Sequence, residues 1–201
     1  MSRISQVVLA THNAKKLIEL KRVLAAEQLG TEVLGLDAFE AYDPPEETER
    51  TFEGNALLKA HAAARRTSLP ALADDSGIEV EELNQMPGVR SSRWAGPQCD
   101  DQANLELLLA QLDGVPVRRR QARFVCALAL VMPEAAPIMW RAEMPGRIAE
   151  QPLGDNGFGY DPIFIPAGFE ETTAQLSAEA KDQISHRGQA LRAFASWLAE
   201  E

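Results

Sequence analysis

The stretch Ala71-Leu72-Ala73-Asp74-Asp75-Ser76-Gly77-Ile78-Glu79-Val80 carries two short apolar runs separated by adjacent carboxylates, a hydroxyl and a glycine. Apolar runs of this length, flanked by proline and glycine, are typical of buried strands rather than of a helix. We therefore expect a strand that ends at Asp74 and Asp75, with both carboxylates exposed in a cleft. Adjacent carboxylates repel each other, and each raises the pKa of the other unless a cation lies between them or one acts as a base.

Two interpretations of this acidic pair are open at this point. The pair could hold a hard divalent ion such as Mg2+ through oxygen, with phosphate completing the coordination shell. Alternatively, the Asp-Ser-Gly sequence forms a turn whose side chains satisfy the local backbone, and the short pattern taken alone favours this turn. The rest of the chain has to decide between them.

The composition is that of an ordinary globular protein, with 45% hydrophobic and 25% charged residues. The 201 residues suffice for one domain, or one domain in two lobes, with a sizeable core. We expect no signal peptide, no membrane span and no membrane partner. Cys99 and Cys126 form no metal-binding or disulfide pattern, which predicts a cytoplasmic location. A net charge of -10 argues against nucleic acid as a partner, because counterion release requires a basic face.

The first predicted strand turns directly into a helix. Residues 6–10 are predicted to form a buried strand. Residues 11–16 read Thr-His-Asn-Ala-Lys-Lys, and Leu17, Leu20 and Leu24 then repeat on one helical face. A turn of this kind directs backbone N–H groups and the positive end of the helix dipole at a bound anion. The segment is therefore a candidate phosphate site, although it lacks the glycines of a Walker loop. An exposed helix start with solvated lysines explains the same residues equally well.

A second predicted helix begins at Thr51 and leads into the acidic stretch. Its apolar residues repeat at helical spacing, and Asn55 and Lys59 lie four residues apart on a neighbouring face. We expect Lys59 to be exposed by default, although the helix could direct it at the acidic pair. The loop before this helix carries an acidic cluster that includes Glu47, and one of its carboxylates could lie over a metal ion.

The second half of the chain predicts more sheet. A helix is expected from about Asp101 to Leu112, and strands are expected at 124–132 and 138–144. The two strands form a predicted hairpin, which places antiparallel pairing in a mixed sheet. The basic run Arg118-Arg119-Arg120 is interpreted as a solvated loop before the first of these strands.

Two further segments carry groups that suit a nucleotide base. Residues 154–164 combine three glycines with three aromatic rings, which gives close backbone approach and flat surfaces for stacking, or simply a glycine-rich hairpin with aromatic packing. Ser185 suits the N-cap of the last helix. His186 and Arg187 follow it and place donors at a positive dipole end, which favours an oxygen acceptor such as a keto group or a phosphate.

Five motifs occur together and in one order. They are Thr11-x-Asn13-x-x-Lys16, Phe52-x-x-Asn55-Ala56-x-x-Lys59-Ala60, Ala73-Asp74-Asp75-Ser76-Gly77, Gly157-Phe158-Gly159-Tyr160-Asp161-Pro162 and Ile184-Ser185-His186-Arg187-Gly188. In this combination the chain resembles the inosine triphosphate pyrophosphatase family, the house-cleaning pyrophosphatases of non-canonical purine nucleoside triphosphates. The resemblance extends from Val7 to about Leu198.

The resemblance implies a fold and a reaction. The implied fold is α/β, with a long twisted mixed sheet flanked by helices. Residues 1–201 would form a single two-lobed domain with a central substrate cleft. The implied reaction is Mg2+-dependent cleavage of ITP, dITP and XTP to the monophosphate and pyrophosphate, and the implied assembly is a homodimer.

The resemblance also assigns roles motif by motif. Asp75 matches a catalytic acid/base that also contacts the metal, together with Glu47 and Asp74, and Lys16 and Lys59 would stabilise the leaving group. Residues that would hold the triphosphate and ribose are Thr11, His12, Asn13, Ala14, Lys15, Lys16, Ser76 and Lys59. Residues that would surround the base are Phe158, Gly159, Tyr160, Asp161, Lys181, His186 and Arg187. His12 departs from the glycine that is frequent in bacterial members.

Two rival functions belong to other classes. A phosphomonoesterase could use Asp74 or Asp75 as a covalent nucleophile, and it would release orthophosphate instead of pyrophosphate. A nucleotide-sensing module would bind without turnover, which fits less well with a candidate base beside metal carboxylates and lysines.

Overall fold

The structure is a computed structural model that describes residues 4–11, 13–40 and 45–200. Within these residues the α-helices are α1 (Ala14–Ala26), α2 (Phe52–Thr67), α3 (Asp101–Gln111), α4 (Ala178–Ile184) and α5 (His186–Glu200). The strands are β1 (Gln6–Leu9), β2 (Glu32–Gly35), β3 (Ala71–Val80), β4 (Met86–Pro87), β5 (Gln121–Val131), β6 (Ile138–Ile148) and β7 (Phe164–Pro166). In the described ranges, no helix has both the length and the apolar character needed to cross a membrane.

The strands form one mixed sheet in the order β2-β1-β3-β5-β6-β7, with β4 paired to β3. Strand β1 runs parallel to β2 and β3, whereas β4 and β7 run antiparallel to β3 and β6 respectively. The connection from β5 to β6, residues 132–137, is too short for the crossover that a parallel pair requires, so these strands form the predicted hairpin. The predicted α/β fold with a mixed sheet is confirmed.

The predicted break at the acidic pair is wrong. Strand β3 is a single ten-residue strand that continues through Gly77, and Asp74 and Asp75 lie in its middle with 5% and 6% of their surface exposed. The carboxylates therefore lie neither at an exposed strand end nor in an Asp-Ser-Gly turn. Aspartate and glycine are depleted in strands, which is why the local pattern indicates a break. Here two lysines, a buried arginine and an amide compensate the two carboxylates, as described below.

The described residues fall into two compact units. Unit 1 comprises the residues up to Asp75, Cys126–Ala142 and the residues from Arg187 onward. Its core includes Val7, Leu20, Leu72, Leu128 and Phe194. Unit 2 comprises Ser76–Val125 and Glu143–His186, and its core includes Ile78, Leu105, Leu108, Phe124 and Phe164.

The predicted helices are confirmed, and two of them begin at side-chain caps. The Thr51 hydroxyl accepts a hydrogen bond from the N–H of Gly54 at 3.0 Å, before α2. The Asp100 carboxylate accepts one from the N–H of Ala103 at 3.0 Å, before α3. Such caps satisfy backbone donors that the first helical turn leaves without an intrahelical partner.

The interpretation of the basic run as solvated is correct for two of its three arginines. Arg118 and Arg119 are exposed, but Arg120 is buried. Its guanidinium donates to the carbonyl oxygens of Val115, Ala149 and Leu112 at 2.9, 3.0 and 2.8 Å. Arg120 therefore links the C-terminal end of α3 to the segment after β6 through hydrogen bonds to the carbonyls of both. A guanidinium can be buried when its fork of donors is satisfied in this way.

Candidate active site

The acidic pair of β3 is surrounded by side chains from three helices of unit 1. Residues that are adjacent on a strand point to opposite faces of the sheet, so the two carboxylates meet different partners. Asp74 meets Lys16 of α1 and Arg187 of α5. Asp75 meets residues of α2 instead. The sheet pairing helps to bring α1 to this position, because β1 ends at Leu9, which pairs with Leu72, while β3 continues to the acidic pair.

Asp74 is held between two cations. The ammonium of Lys16 lies 2.9 and 2.7 Å from the two carboxylate oxygens, and Nε of Arg187 lies 3.3 Å from Oδ2. Burial by itself would raise the pKa of Asp74, but the charges of Lys16, Arg187 and Lys59 hold that pKa far below its usual range. Asp74 therefore stays ionised at every physiological pH.

Asp75 lies in a different electrostatic environment. Its Oδ1 accepts a hydrogen bond from Nζ of Lys59 at 2.9 Å, and its Oδ2 accepts one from the amide of Asn55 at 3.2 Å. Burial is the largest effect on this carboxyl, and the charge of Glu47 adds to it, whereas Lys59 and Asn55 act in the opposite direction. The net result raises the pKa of Asp75 to about 6. This carboxyl can take up or release a proton close to neutral pH.

Lys59 joins two carboxylates. Its ammonium lies 2.9 Å from Asp75 and 3.1 Å from Oε1 of Glu47, and its side chain is mostly buried. The expected default exposure of Lys59 is therefore wrong. Burial lowers the pKa of Lys59, but Asp75, Asp74 and Glu47 together raise it above its usual value. Lys59 therefore stays charged and cannot serve as a base.

The predicted phosphate turn is only partly described. The hydroxyl of Thr11 accepts a hydrogen bond from the N–H of Asn13 at 3.1 Å, and the carbonyl of Asn13 accepts one from the N–H of Lys16 at 3.1 Å. Helix α1 begins at Ala14, directly after this turn. His12 lies outside the described residues, and the side chains of Ala14 and Lys15 are also outside them. Ser76 lies in β3, half-buried.

Six of the seven predicted base contacts lie in unit 2, and Asp161 is the hydrogen-bonding centre of one group of them. Its buried carboxylate accepts hydrogen bonds from the N–H of Phe158 at 2.8 Å, from the Thr173 hydroxyl at 2.8 Å and from the ammonium of Lys181. The same ammonium lies 5.3 Å from the centre of the Phe158 ring. Phe158, Asp161 and Lys181 thus contact one another, and Gly159 and Tyr160 lie between the first two in the chain. That these residues surround a base stays a prediction.

The other two predicted base contacts have different surroundings. His186 is buried in unit 2, where its ring stacks on Phe124 at 4.9 Å and an interplanar angle of 6°. Arg187 belongs to unit 1 and contacts Asp74, as described, and Glu19 at 3.6 Å. Sequence analysis did not predict the contact between Arg187 and Asp74, because it joins residues far apart in the chain. It also missed Asn55 as the partner of Asp75, although an asparagine among the apolar residues of α2 was a usable signal.

The predicted metal ligands do not form one group. Glu47 and Asp75 share Lys59, whereas Asp74 contacts Lys16 and Arg187. Across residues 4–11, 13–40 and 45–200, no three histidine, cysteine, aspartate or glutamate side chains converge as a metal centre would require. The assignment of Glu47, Asp74 and Asp75 to a metal stays a prediction.

The fold and these contacts define the class of protein, an α/β protein in which two buried carboxylates of a central strand face cations from the flanking helices. The chain belongs to the Ham1 family, whose model matches residues 7–197. The family membership predicted from the five motifs is thereby confirmed.

Relatives are similar to this chain over nearly their full length. The dITP/XTP pyrophosphatase of Cutibacterium acnes is 53% identical and covers 95% of both chains. The dITP/XTP pyrophosphatase of Nocardia farcinica is 52% identical, over 98% of this chain and 96% of the relative. Among solved structures, a HAM1 protein from Coxiella burnetii is 41% identical and superimposes with a TM-score of 0.91, over 98% of this chain and 99% of that one.

Proposed function

We propose that this protein is a nucleoside triphosphate pyrophosphatase that hydrolyses ITP, dITP and XTP to the monophosphate and pyrophosphate. The names of the relatives support this reaction. The observation that carries it is the unequal environment of the acidic pair. Asp74 is held ionised by Lys16 and Arg187, whereas the pKa of Asp75 is raised to about 6, beside the ammonium of Lys59.

Asp75 is proposed as the general base. Attack of water on a phosphorus atom requires in-line placement, charge neutralisation and a group that accepts the proton. A carboxylate with a pKa of about 6 is ionised at neutral pH, and it is more basic than an ordinary aspartate. The amide of Asn55 and the ammonium of Lys59 each bond one of its oxygens and so fix its orientation.

Lys16 and Lys59 are proposed to stabilise the charge on the leaving pyrophosphate. Both ammonium groups lie beside the acidic pair, and the two side chains are partly exposed. The turn from Thr11 to Lys16, with Ser76, would bind the triphosphate and ribose, because backbone N–H groups at a helix start favour anions.

The residues around Asp75 fit a divalent cation. Glu47 and Asp75 both lie about 3 Å from one ammonium, and their mutual repulsion contributes to the raised pKa of Asp75. Two hard carboxylates that repel each other are suitable ligands for Mg2+. When bound, Mg2+ would neutralise charge on the phosphate oxygens and so favour attack by water. Asp74 fits this role less well, because Lys16 and Arg187 already neutralise it.

Recognition of the base is proposed for the cluster around Phe158. The exposed ring of Phe158 offers a stacking surface, and Gly159, Tyr160, Asp161 and Lys181 surround it. His186 and Arg187 are proposed to donate towards the 6-keto oxygen. Adenine carries an amino group at that position and would leave such donors unpaired, which is how a polar pocket rejects an analogue.

The deciding experiment measures the products released from a panel of ITP, dITP, XTP, ATP and GTP with Mg2+. Pyrophosphate from the first three, at rates well above those for ATP and GTP, is the expected result. Stepwise release of orthophosphate would favour the phosphomonoesterase instead, and binding without product would favour the sensing module. Sedimentation of the same sample tests the predicted homodimer.

A further inference from the structure

Phe158 belongs to a loop whose flanking glycines give the backbone unusual conformational freedom. Gly157 and Gly159 flank Phe158 with φ values of +80° and +59°, in the left-handed region that glycine adopts most readily. Phe158 is 40% exposed, so packing provides only part of the support for its side chain. The position of the ring therefore depends on how the loop backbone is held.

Before Phe158, the loop backbone is held by a residue of the loop itself, Asp161. The N–H of Phe158 donates to Oδ2 of Asp161 at 2.8 Å. A Cβ added at Gly157 would lie 2.1 Å from that same oxygen, so only glycine allows the carboxylate to approach this closely. The peptide group before the Cα of Phe158 is thus fixed by Asp161.

After Phe158, the loop backbone is held by a residue of α3, Asp101. The N–H of Gly159 donates to Oδ2 of Asp101 at 3.0 Å, so the peptide group after the Cα of Phe158 also meets a carboxylate. Asp101 lies in the first turn of α3, which the Asp100 cap anchors. Asn104, one turn later, anchors it further by accepting from the N–H of Ala95 at 2.6 Å and donating to the carbonyl of Ser92 at 2.9 Å.

The next residue, Tyr160, strengthens the connection. Its hydroxyl donates to the carbonyl of Ser91 at 2.8 Å. Burial, and then the charge of Asp101, raise the pKa of Tyr160, so the phenol stays a donor throughout the physiological range. Asp101 thus acts on two consecutive residues after Phe158, one through a hydrogen bond and one through its charge.

We propose that Asp101 is a positioning residue, whose carboxylate holds the N–H of Gly159 and thereby fixes the Phe158 ring for stacking on the purine. Asp101 itself does not contact the substrate in this scheme. The inference rests on the proposed function, in which Phe158 contacts the base. It predicts that loss of the carboxylate weakens substrate binding without slowing the chemical step.

The test compares three variants of the full-length protein on dITP. Asp101→Ala is expected to raise KM about three- to tenfold, the range of one lost hydrogen bond, with kcat within about twofold of wild type. Asp101→Asn keeps an acceptor oxygen and should restore most of the KM. Glu106→Ala, the matched control, removes an exposed carboxylate from the same helix and should leave KM unchanged.

A second readout needs no substrate. Amide hydrogen exchange of the peptide that contains Gly159 should accelerate in Asp101→Ala and stay at the wild-type rate in Asp101→Asn and Glu106→Ala. Unchanged KM and exchange in Asp101→Ala, or parallel changes in Asp101→Ala and Glu106→Ala, would reject the positioning role. If wild-type protein releases no pyrophosphate from dITP, the proposed function fails, and the exchange rates still decide whether Asp101 holds the loop.

Discussion

Asp74 and Asp75 are chemically identical neighbours whose surroundings give them different tasks. Two cations from α1 and α5 meet Asp74, so it acts as a fixed negative charge that orients Lys16. Asp75 is buried, faces the charge of Glu47 and has a pKa of about 6, so it can exchange a proton. The motif alone does not distinguish the two, because the difference depends on partners that the local sequence does not contain.

The first prediction concerns turnover by Asp75→Asn. The amide is close in shape but cannot accept the proton of the attacking water, so the rate of pyrophosphate release from dITP should fall by about 10²- to 10⁴-fold. The measurement is steady-state release with Mg2+ at pH 8. Asp113→Asn changes an exposed aspartate and should leave the rate unchanged. A rate near that of wild type in Asp75→Asn would remove Asp75 from the mechanism.

The second prediction concerns the stability of that same variant. The folded pKa of Asp75, about 6, lies above its ordinary value of 3.8. The fold therefore binds this proton more tightly than the unfolded chain does, and that stability is full below pH 3.8 and lost as pH rises through 6. Asp75→Asn should raise the free energy of unfolding by about 1–3 kcal/mol at pH 8, and the gain should shrink towards pH 4. Urea denaturation with a metal chelator measures both.

The third prediction is the opposite result for Asp74→Asn. The pKa of Asp74 is depressed below 3.8, so its stabilisation is present above pH 3.8 and is lost as pH falls below that value. The amide would remove the negative charge that faces Lys16 and the buried Arg187, and Glu19 would remain as an anion beside Arg187. We expect the free energy of unfolding at pH 8 to fall by about 3–5 kcal/mol. If the two variants shift stability in the same direction, the proposed difference between the carboxylates is wrong.

At the scale of elements, the sequence predicts the helices and most strands because their signals are local. Apolar periodicity marks α1, α2 and α3, and continuous apolar runs mark β1 and β5. Strand β3 is mispredicted at its centre, because the residues that permit buried carboxylates come from positions 16, 55, 59 and 187. The residues of the candidate site are likewise identified by motif, whereas their pairing depends on tertiary contacts. Arg187 illustrates this point, since its motif does not indicate a bond to Asp74.

The fourth prediction concerns the contribution of Arg120, at the end of α3, to the stability of the fold. Its guanidinium donates to three backbone carbonyls, one of them at Leu112, the C-cap residue of the helix. Arg120→Met should leave these buried acceptors unsatisfied and lower the free energy of unfolding by about 2–4 kcal/mol. Arg118→Met changes an exposed arginine two residues earlier and should have an effect within about 0.5 kcal/mol. Similar losses for both variants would show that Arg120 has no special role.

At the scale of the whole molecule, a net charge of -10 opposes the approach of a polyphosphate. The cations at the acidic pair are already compensated by carboxylates, so they offset this long-range field only at short distance. Salt screens exposed charges over about 10 Å at 0.1 M but affects buried contacts much less. Moderate salt should therefore weaken the repulsion more than it weakens binding at the site.

The final prediction follows from this difference in screening. At constant free Mg2+, kcat/KM for dITP should rise about two- to threefold as KCl increases from about 20 to about 150 mM. A variant with both Glu27→Lys and Glu200→Lys changes two exposed positions and makes the net charge less negative, so its kcat/KM should start higher and respond less to salt. A steady fall of kcat/KM with salt in both proteins would contradict the prediction. It would mean that attraction at the site, rather than the field of the whole molecule, governs how the substrate is captured.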